Sequence, residues 1–136
     1  MVRESVDASV QCPRCRSPGR VVYVARGTRQ GVRFSASFAC SFCGHAFEAD
    51  EKGIPDDVRP LFYKEYGRWR LVVLGLGPNR AEAMRGLRDR LGLSLAEVAD
   101  LLRRIPAEVA QGTRAEVDAL KEALVPTGVL VEAARC

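Results

Sequence analysis

Residues 12–43 read CPRCRSPGRVVYVARGTRQGVRFSASFACSFC, opening on one Cys-x-x-Cys pair, Cys12 and Cys15, and closing on a second, Cys40 and Cys43. A gap of two residues lets both thiolates of a pair turn towards one ion while amides of the tight turn point at the sulfurs, and two pairs complete a tetrahedral shell with metal–sulfur distances of about 2.3 Å. Between the pairs, residues 20–25 and 32–39 read as strands, and Gly27-Thr28-Arg29-Gln30-Gly31 supplies a glycine-rich turn. A hairpin therefore carries both pairs to one place. Four cysteine ligands leave no coordination position open to substrate or water, so the centre they predict is structural and not catalytic.

The arrangement resembles a zinc ribbon over residues 10–50, which implies one structural zinc ion on Cys12, Cys15, Cys40 and Cys43. Iron of the rubredoxin kind is the competing ion, since tetrahedral thiolates suit both metals, and it would make the protein an electron carrier. A disulfide framework does not suit a reducing cytoplasm. His45, the only histidine, lies two residues after Cys43 and is either a substitute ligand or proton carrier, or a plain turn residue facing solvent. Cys136 has no partner in this spacing and reads as a free terminal thiol. The cysteine module has too few large apolar residues to fold on its own burial, so the metal is expected to supply much of its stability.

Charge is spread unevenly around the cysteines. The 136 residues carry 21 basic and 17 acidic side chains, a net charge of +4. Residues 11–45 contain six arginines and no acid, whereas 46–59 reverse the sign with Glu48, Asp50, Glu51, Asp56 and Asp57 against Lys52 and Arg59. Arg14, Arg16, Arg20, Arg26, Arg29 and Arg33 are candidate nucleic-acid contacts, with Tyr23, Phe34, Phe38 and Phe42 as stacking surfaces for unpaired bases. The alternatives are that the aromatics form the ribbon's small core while the arginines solvate it, or that the arginines meet an acidic protein surface. Gly53, Pro55 and Pro60 mark residues 51–67 as a linker between a module at 1–50 and another at 68–136. Phe62, Tyr63, Tyr66 and Trp69 lie in or beside that linker and either pack the modules together or form an exposed recognition patch.

From residue 69 the pattern is regular. Trp69 to Leu74 reads as a strand, and Asn79 with Glu82 starts a helix burying Met84, Leu87 and Leu91 and ended by Gly92. Ser94-Leu95-Ala96-Glu97 is a capping box for a second helix with Val98, Leu101, Leu102 and Ile105 at helical spacing. A strand over 107–110 precedes a further capping box, Thr113-Arg114-Ala115-Glu116, whose helix presents Val117, Leu120 and Leu124. Pro126-Thr127-Gly128 turns the chain into a last strand over 129–133. The order is β-α-α-β-α-β, a small three-stranded sheet with helices on one face, and the fold class of the whole chain is α+β.

Those residues carry a resemblance. Arg70-Leu71-Val72-Val73-Leu74-Gly75, the stretch NRAEAMRGLRDRLGLSLAEVADLL over 79–102, Pro106, and the run from Ala123 to Val131 look like the C-terminal domain of the bacterial ribosomal stalk protein of the seven/twelve type, over residues 68–134. The same fold resembles the adaptor that hands substrates to the Clp protease. The resemblance implies a surface on the first two helices that recruits translational GTPases, and it places Arg80, Arg85 and Arg88 at the family's basic contacts. Gly92, Leu93, Leu95 and Glu97 match its helix-turn-helix signature. Ala96 and Ala99 stand where the family has lysines, Ser94 replaces a glycine, and Glu82 adds a negative charge. The stalk protein's N-terminal dimerisation helices and hinge are replaced by the cysteine module. Read without the family, Arg85 and Arg88 share a helix face that is either a solvated edge or a docking site.

No nucleophile has a base beside it and no paired carboxylates stand in a recognisable frame, so catalysis and a small-molecule substrate are not expected. The apolar runs are too short to span a bilayer, and residues 1–10 lack the core of a secretory signal, so a cytoplasmic protein is expected. Its expected role is a zinc-binding interaction or adaptor protein with protein partners at the ribosome, the translation apparatus or a protease. A nucleic-acid binder acting through the ribbon's arginines and an iron electron carrier are the two alternatives.

Overall fold

The computed structural model describes residues 2–136. In the N-terminal third the hairpin predicted from the cysteine spacing is the centre of a four-stranded antiparallel meander: β1 (Arg3–Gln11), β2 (Pro18–Thr28), β3 (Gly31–Ala39) and β4 (Ala46–Lys52), paired in that order. The two outer strands are absent from the sequence reading, for different reasons. β1 turns Glu4, Val6, Ala8 and Val10 inwards, a set too small and mixed to announce itself. Every residue of β4 is exposed, and its acids suit an edge strand that must refuse further pairing.

Composition marks 51–67 as a linker; the chain there is ordered instead. β4 runs to Lys52, Ile54 and Val58 are buried, and helix α1 (Arg59–Tyr66) follows with Pro60 in its first turn. Phe62 of α1 is fully buried against Val6, Ala25 and Phe34 of the sheet. Tyr66 donates its hydroxyl hydrogen to the Ser5 carbonyl at 2.8 Å and accepts the Ser5 amide at 3.1 Å.

The C-terminal half follows the expected order: β5 (Trp69–Gly75), α2 (Arg80–Leu91), α3 (Leu95–Arg103), β6 (Ala107–Gly112), α4 (Arg114–Leu124) and β7 (Leu130–Arg135). The sheet order is β6-β5-β7, all antiparallel. Its start signals act as read: Asn79 accepts the Glu82 amide, and Ser94 with Glu97 and Thr113 with Glu116 form complete capping boxes. Leu71, Val73, Leu87, Val98, Leu101, Val117 and Leu124 make the core.

Helix α4 touches β5, β6 and β7 and also β2 and β3, so it lies between the two sheets. Val117 and Leu124 serve the C-terminal core, while Ala115 belongs to the cluster under the N-terminal sheet. Small residues permit the close approach: a Cβ on Gly27 of β2 would stand 2.6 Å from the Ala115 carbonyl oxygen. The contact is fastened by polar groups. The buried Glu4 accepts the Ala115 amide at 2.7 Å, capping α4 from the other sheet. Arg59 of α1 grips Glu116 with two bonds, at 3.1 and 2.9 Å, and also pairs with Asp56. Glu116 first, then Asp56, holds the Arg59 guanidinium still more firmly protonated than usual.

Candidate metal centre

The two cysteine pairs sit on turns of the same build. In the first, the Arg16 amide donates to the Cys12 carbonyl at 2.9 Å and the Cys12 amide to the Ser17 carbonyl at 2.8 Å; in the second, Gly44 donates to Cys40 at 2.9 Å and Cys40 to His45 at 2.8 Å. The residue after the last cysteine is left-handed in both, Arg16 with φ 63° and Gly44 with φ 76°. The β2–β3 register, Arg20 opposite Ala39, sets these turns side by side.

The four sulfurs lie within 4.8 Å of one another, with Cys12 to Cys43 at 3.7 Å and Cys15 to Cys40 at 3.6 Å. A tetrahedron with metal–sulfur bonds of about 2.3 Å has edges of about 3.8 Å, so the spacing fits one ion. None of the four cysteines is in a disulfide. Cys12 and Cys40 are buried among Val21 and Phe38, and Cys15 and Cys43 close the cluster.

Electrostatics points the same way. The Ser17 amide, against burial, pulls the Cys15 thiol down to about 6, while Cys43 receives the His45 amide yet is pushed up to about 11 by burial and by the other three sulfurs. A first thiolate forms easily and a fourth does not, unless a cation enters to hold the four negative charges together. His45 is outside the cysteine cluster; its ring tilts against Phe38 and Phe47, at 6.2 and 6.0 Å between centres. Cys136 is exposed at the far end of the chain.

The six ribbon arginines are not brought together as a group. Arg14 and Arg16 lie at the first metal turn, Arg20 pairs with Asp7 at 2.7 Å, Arg29 is in the β2–β3 turn beside α2, and only Arg26 and Arg33 are directly opposed. Tyr23 and Phe34 stack on each other at 5.6 Å on the inner face, which leaves Phe42, 78% exposed at the second metal turn, as the free aromatic of the four. On the C-terminal module Arg80, Arg85 and Arg88 are all exposed. Arg85 and Arg88 line a shallow groove with Ala81, Met84, Asp89 and Leu95, the last 57% exposed; Arg80 stands outside it at the start of α2. Sequence reasoning missed Glu4 and Arg59, which tie the modules together, because neither has a local pattern to mark it. No helix among the described residues is long and apolar enough to cross a membrane.

No family model matches the chain. It is similar to the large ribosomal subunit protein bL12 of Pasteurella multocida (strain Pm70), with 34% identity over 70 residues, which is 51% of this chain and 57% of that protein. The chain thus spans little more than half the length of that relative. The likeness supports the stalk-like character of a module of about that size, and the four converging cysteines fit a ribbon-type metal module.

Proposed function

We propose that this protein is a non-enzymatic, zinc-binding adaptor that docks through its stalk-like module onto a component of the ribosome or translation apparatus in the cytoplasm. The observation that carries the reading is the likeness to bL12 over half the chain, in a protein whose module keeps an exposed groove between α2 and α3. Arg85 and Arg88 flank that groove and would meet an acidic surface, while Met84 and Leu95 offer it apolar contact. The metal module holds its ion in a closed shell, so its work is to fix a surface and not to turn over a substrate.

Co-sedimentation of the tagged full chain with ribosomes and associated factors tests the docking. Arg85→Glu with Arg88→Glu is expected to release the chain from the heavy fractions, and Arg103→Glu on the end of α3 is not. Migration of the unaltered chain away from every large assembly would count against the proposal. Metal analysis tests the ion: a colourless protein with one zinc per chain is expected, and a coloured, iron-loaded one would favour the electron-carrier alternative.

A further inference from the structure

On the outer face of the N-terminal sheet, four cations stand in one cross-strand line. The register sets Arg3 opposite Arg26, Arg26 opposite Arg33 and Arg33 opposite Lys52, one from each strand. Directly opposed residues share a face, and neighbours in a strand alternate. Glu4 and Gly27, next to Arg3 and Arg26, face α4, so the row points the other way, and all four of its residues are exposed. With strands about 4.8 Å apart the row spans about 14 Å. Among the described residues none of the four is in an ion pair. Like charges directly opposed weaken a sheet, and here three such contacts follow one another.

We propose that the row Arg3, Arg26, Arg33 and Lys52 is a docking site for the phosphate backbone of a nucleic-acid duplex. The next rows on this face are Ser5, Val24, Ser35 and Asp50, then Asp7, Val22, Ser37 and Glu48. They contain no aromatic side chain, so the face has nothing on which to stack an unpaired base. They also lack the large apolar or aromatic anchors that protein partners use. What remains is evenly spaced positive charge, which a duplex, with one phosphate charge per about 1.7 Å of axis, can answer along the whole row. Asp50, Asp7 and Glu48 bound the site on one side and confine contact to the row. The cysteines lie at the opposite end of the same strands, so docking leaves the metal turns clear. The inference does not depend on the stalk-like module or its partner.

Fluorescence anisotropy of the full chain with a labelled duplex of about 16 base pairs, between about 50 and 200 mM salt, tests it. RNA and DNA duplexes of one sequence form separate arms. Saturable binding is expected, with a log–log salt slope of about −3 to −4. Arg26→Thr, Arg33→Thr and Lys52→Thr, which keep strand propensity, are each expected to weaken binding about tenfold and flatten the slope by about one. Arg103→Ser, which removes the same charge elsewhere, leaves both unchanged. Thermal unfolding at low salt supplies a second reading, in which Arg33→Thr melts no lower than the parent chain. Absence of duplex binding at the lowest salt, equal loss in Arg103→Ser, tighter binding of the corresponding single strand, or row-dependent binding of a polyglutamate peptide above either duplex would each overturn the proposal.

Discussion

The two sheets are closed by different means. The C-terminal sheet has its own helices and a continuous core of leucine and valine, from Leu71 and Val73 across to Leu87, Val98 and Leu124. The N-terminal sheet has more strands but mostly small inward residues, and its buried material divides into two clusters at opposite ends. At one end Val21 and Phe38 pack around Cys12 and Cys40; at the other, Val6, Ala25 and Phe34 pack on Phe62 and Ala115, which lie outside the sheet. A sheet too poor in apolar side chains to close itself has four cysteines positioned to hold a metal ion at one end and leans on a neighbouring module at the other.

The largest break in this comparison comes from the metal end. Chelation removes the ion and Cys40→Ser removes one of its four candidate ligands, so either leaves no closed shell, and structural zinc is worth on the order of 10 kcal/mol in small metal-folded peptides. Hydrogen exchange is expected to show lost protection around β2 and β3 near the cysteines while amides of β5, β6 and β7 keep theirs. Parallel loss in both sheets would mean that the two halves form one cooperative unit.

Truncation of the borrowed core comes next. Phe62→Ala empties a fully buried aromatic site and is expected to cost about 3–5 kcal/mol, and Leu87→Ala about 2–5 kcal/mol. The two differ in where the loss appears: urea unfolding followed through the cysteine ligands should register Phe62→Ala first, and the environment of Trp69 should register Leu87→Ala first. Identical effects at both probes would remove the distinction between a self-contained and a borrowed core.

Sequence patterns made the C-terminal half legible because its signals are local. Capping boxes at Ser94 and Thr113, the turn at Gly92 and the spacing of Val98, Leu101 and Val117 each act within a few residues. The cysteine cluster was legible for the same reason, since spacing alone sets two cysteines on one turn. What was hidden is nonlocal. Ala115 and Ala119 gave α4 a second buried face that reads in sequence as mere helix propensity, and Phe62 looked like part of a linker until the sheet it packs on was in place. The cation row depends wholly on strand register; Arg3 and Lys52 are 49 positions apart in the chain and meet only through two intervening strands.

Glu4 offers a smaller test at the junction of the two sheets. Burial pushes its carboxyl above the ordinary value, against the pull of the Ala115 amide and of Arg114. A raised acid binds more protons folded than unfolded, so its contribution falls as pH rises from about 4.5 through the folded value. Glu4→Gln keeps an oxygen for the Ala115 amide and removes the ionisation. The stability difference between the parent chain and Glu4→Gln is therefore expected to move in the parent's favour as pH falls from about 7 towards 5. Glu4→Ala, which leaves the buried Ala115 amide without its acceptor while the Thr113 capping box stays in place, is expected to cost about 1–2 kcal/mol at neutral pH.

The smallest predicted effect contrasts the two metal turns. They share their hydrogen bonds and their left-handed residue, but one uses Gly44 and the other Arg16. A Cβ at Gly44 would meet nothing within 4 Å, so the penalty of a side chain there is conformational and not steric crowding. Gly44→Ala is expected to cost about 1 kcal/mol, and Arg16→Gly to gain about 0.5 kcal/mol, the relief of left-handed strain being partly offset by a freer unfolded chain. Urea midpoints of the metal-loaded protein measure both. If Arg16→Gly instead destabilises, the Arg16 side chain supports the thiolates in a way the glycine turn does without, and the two halves of the metal centre are not equivalent.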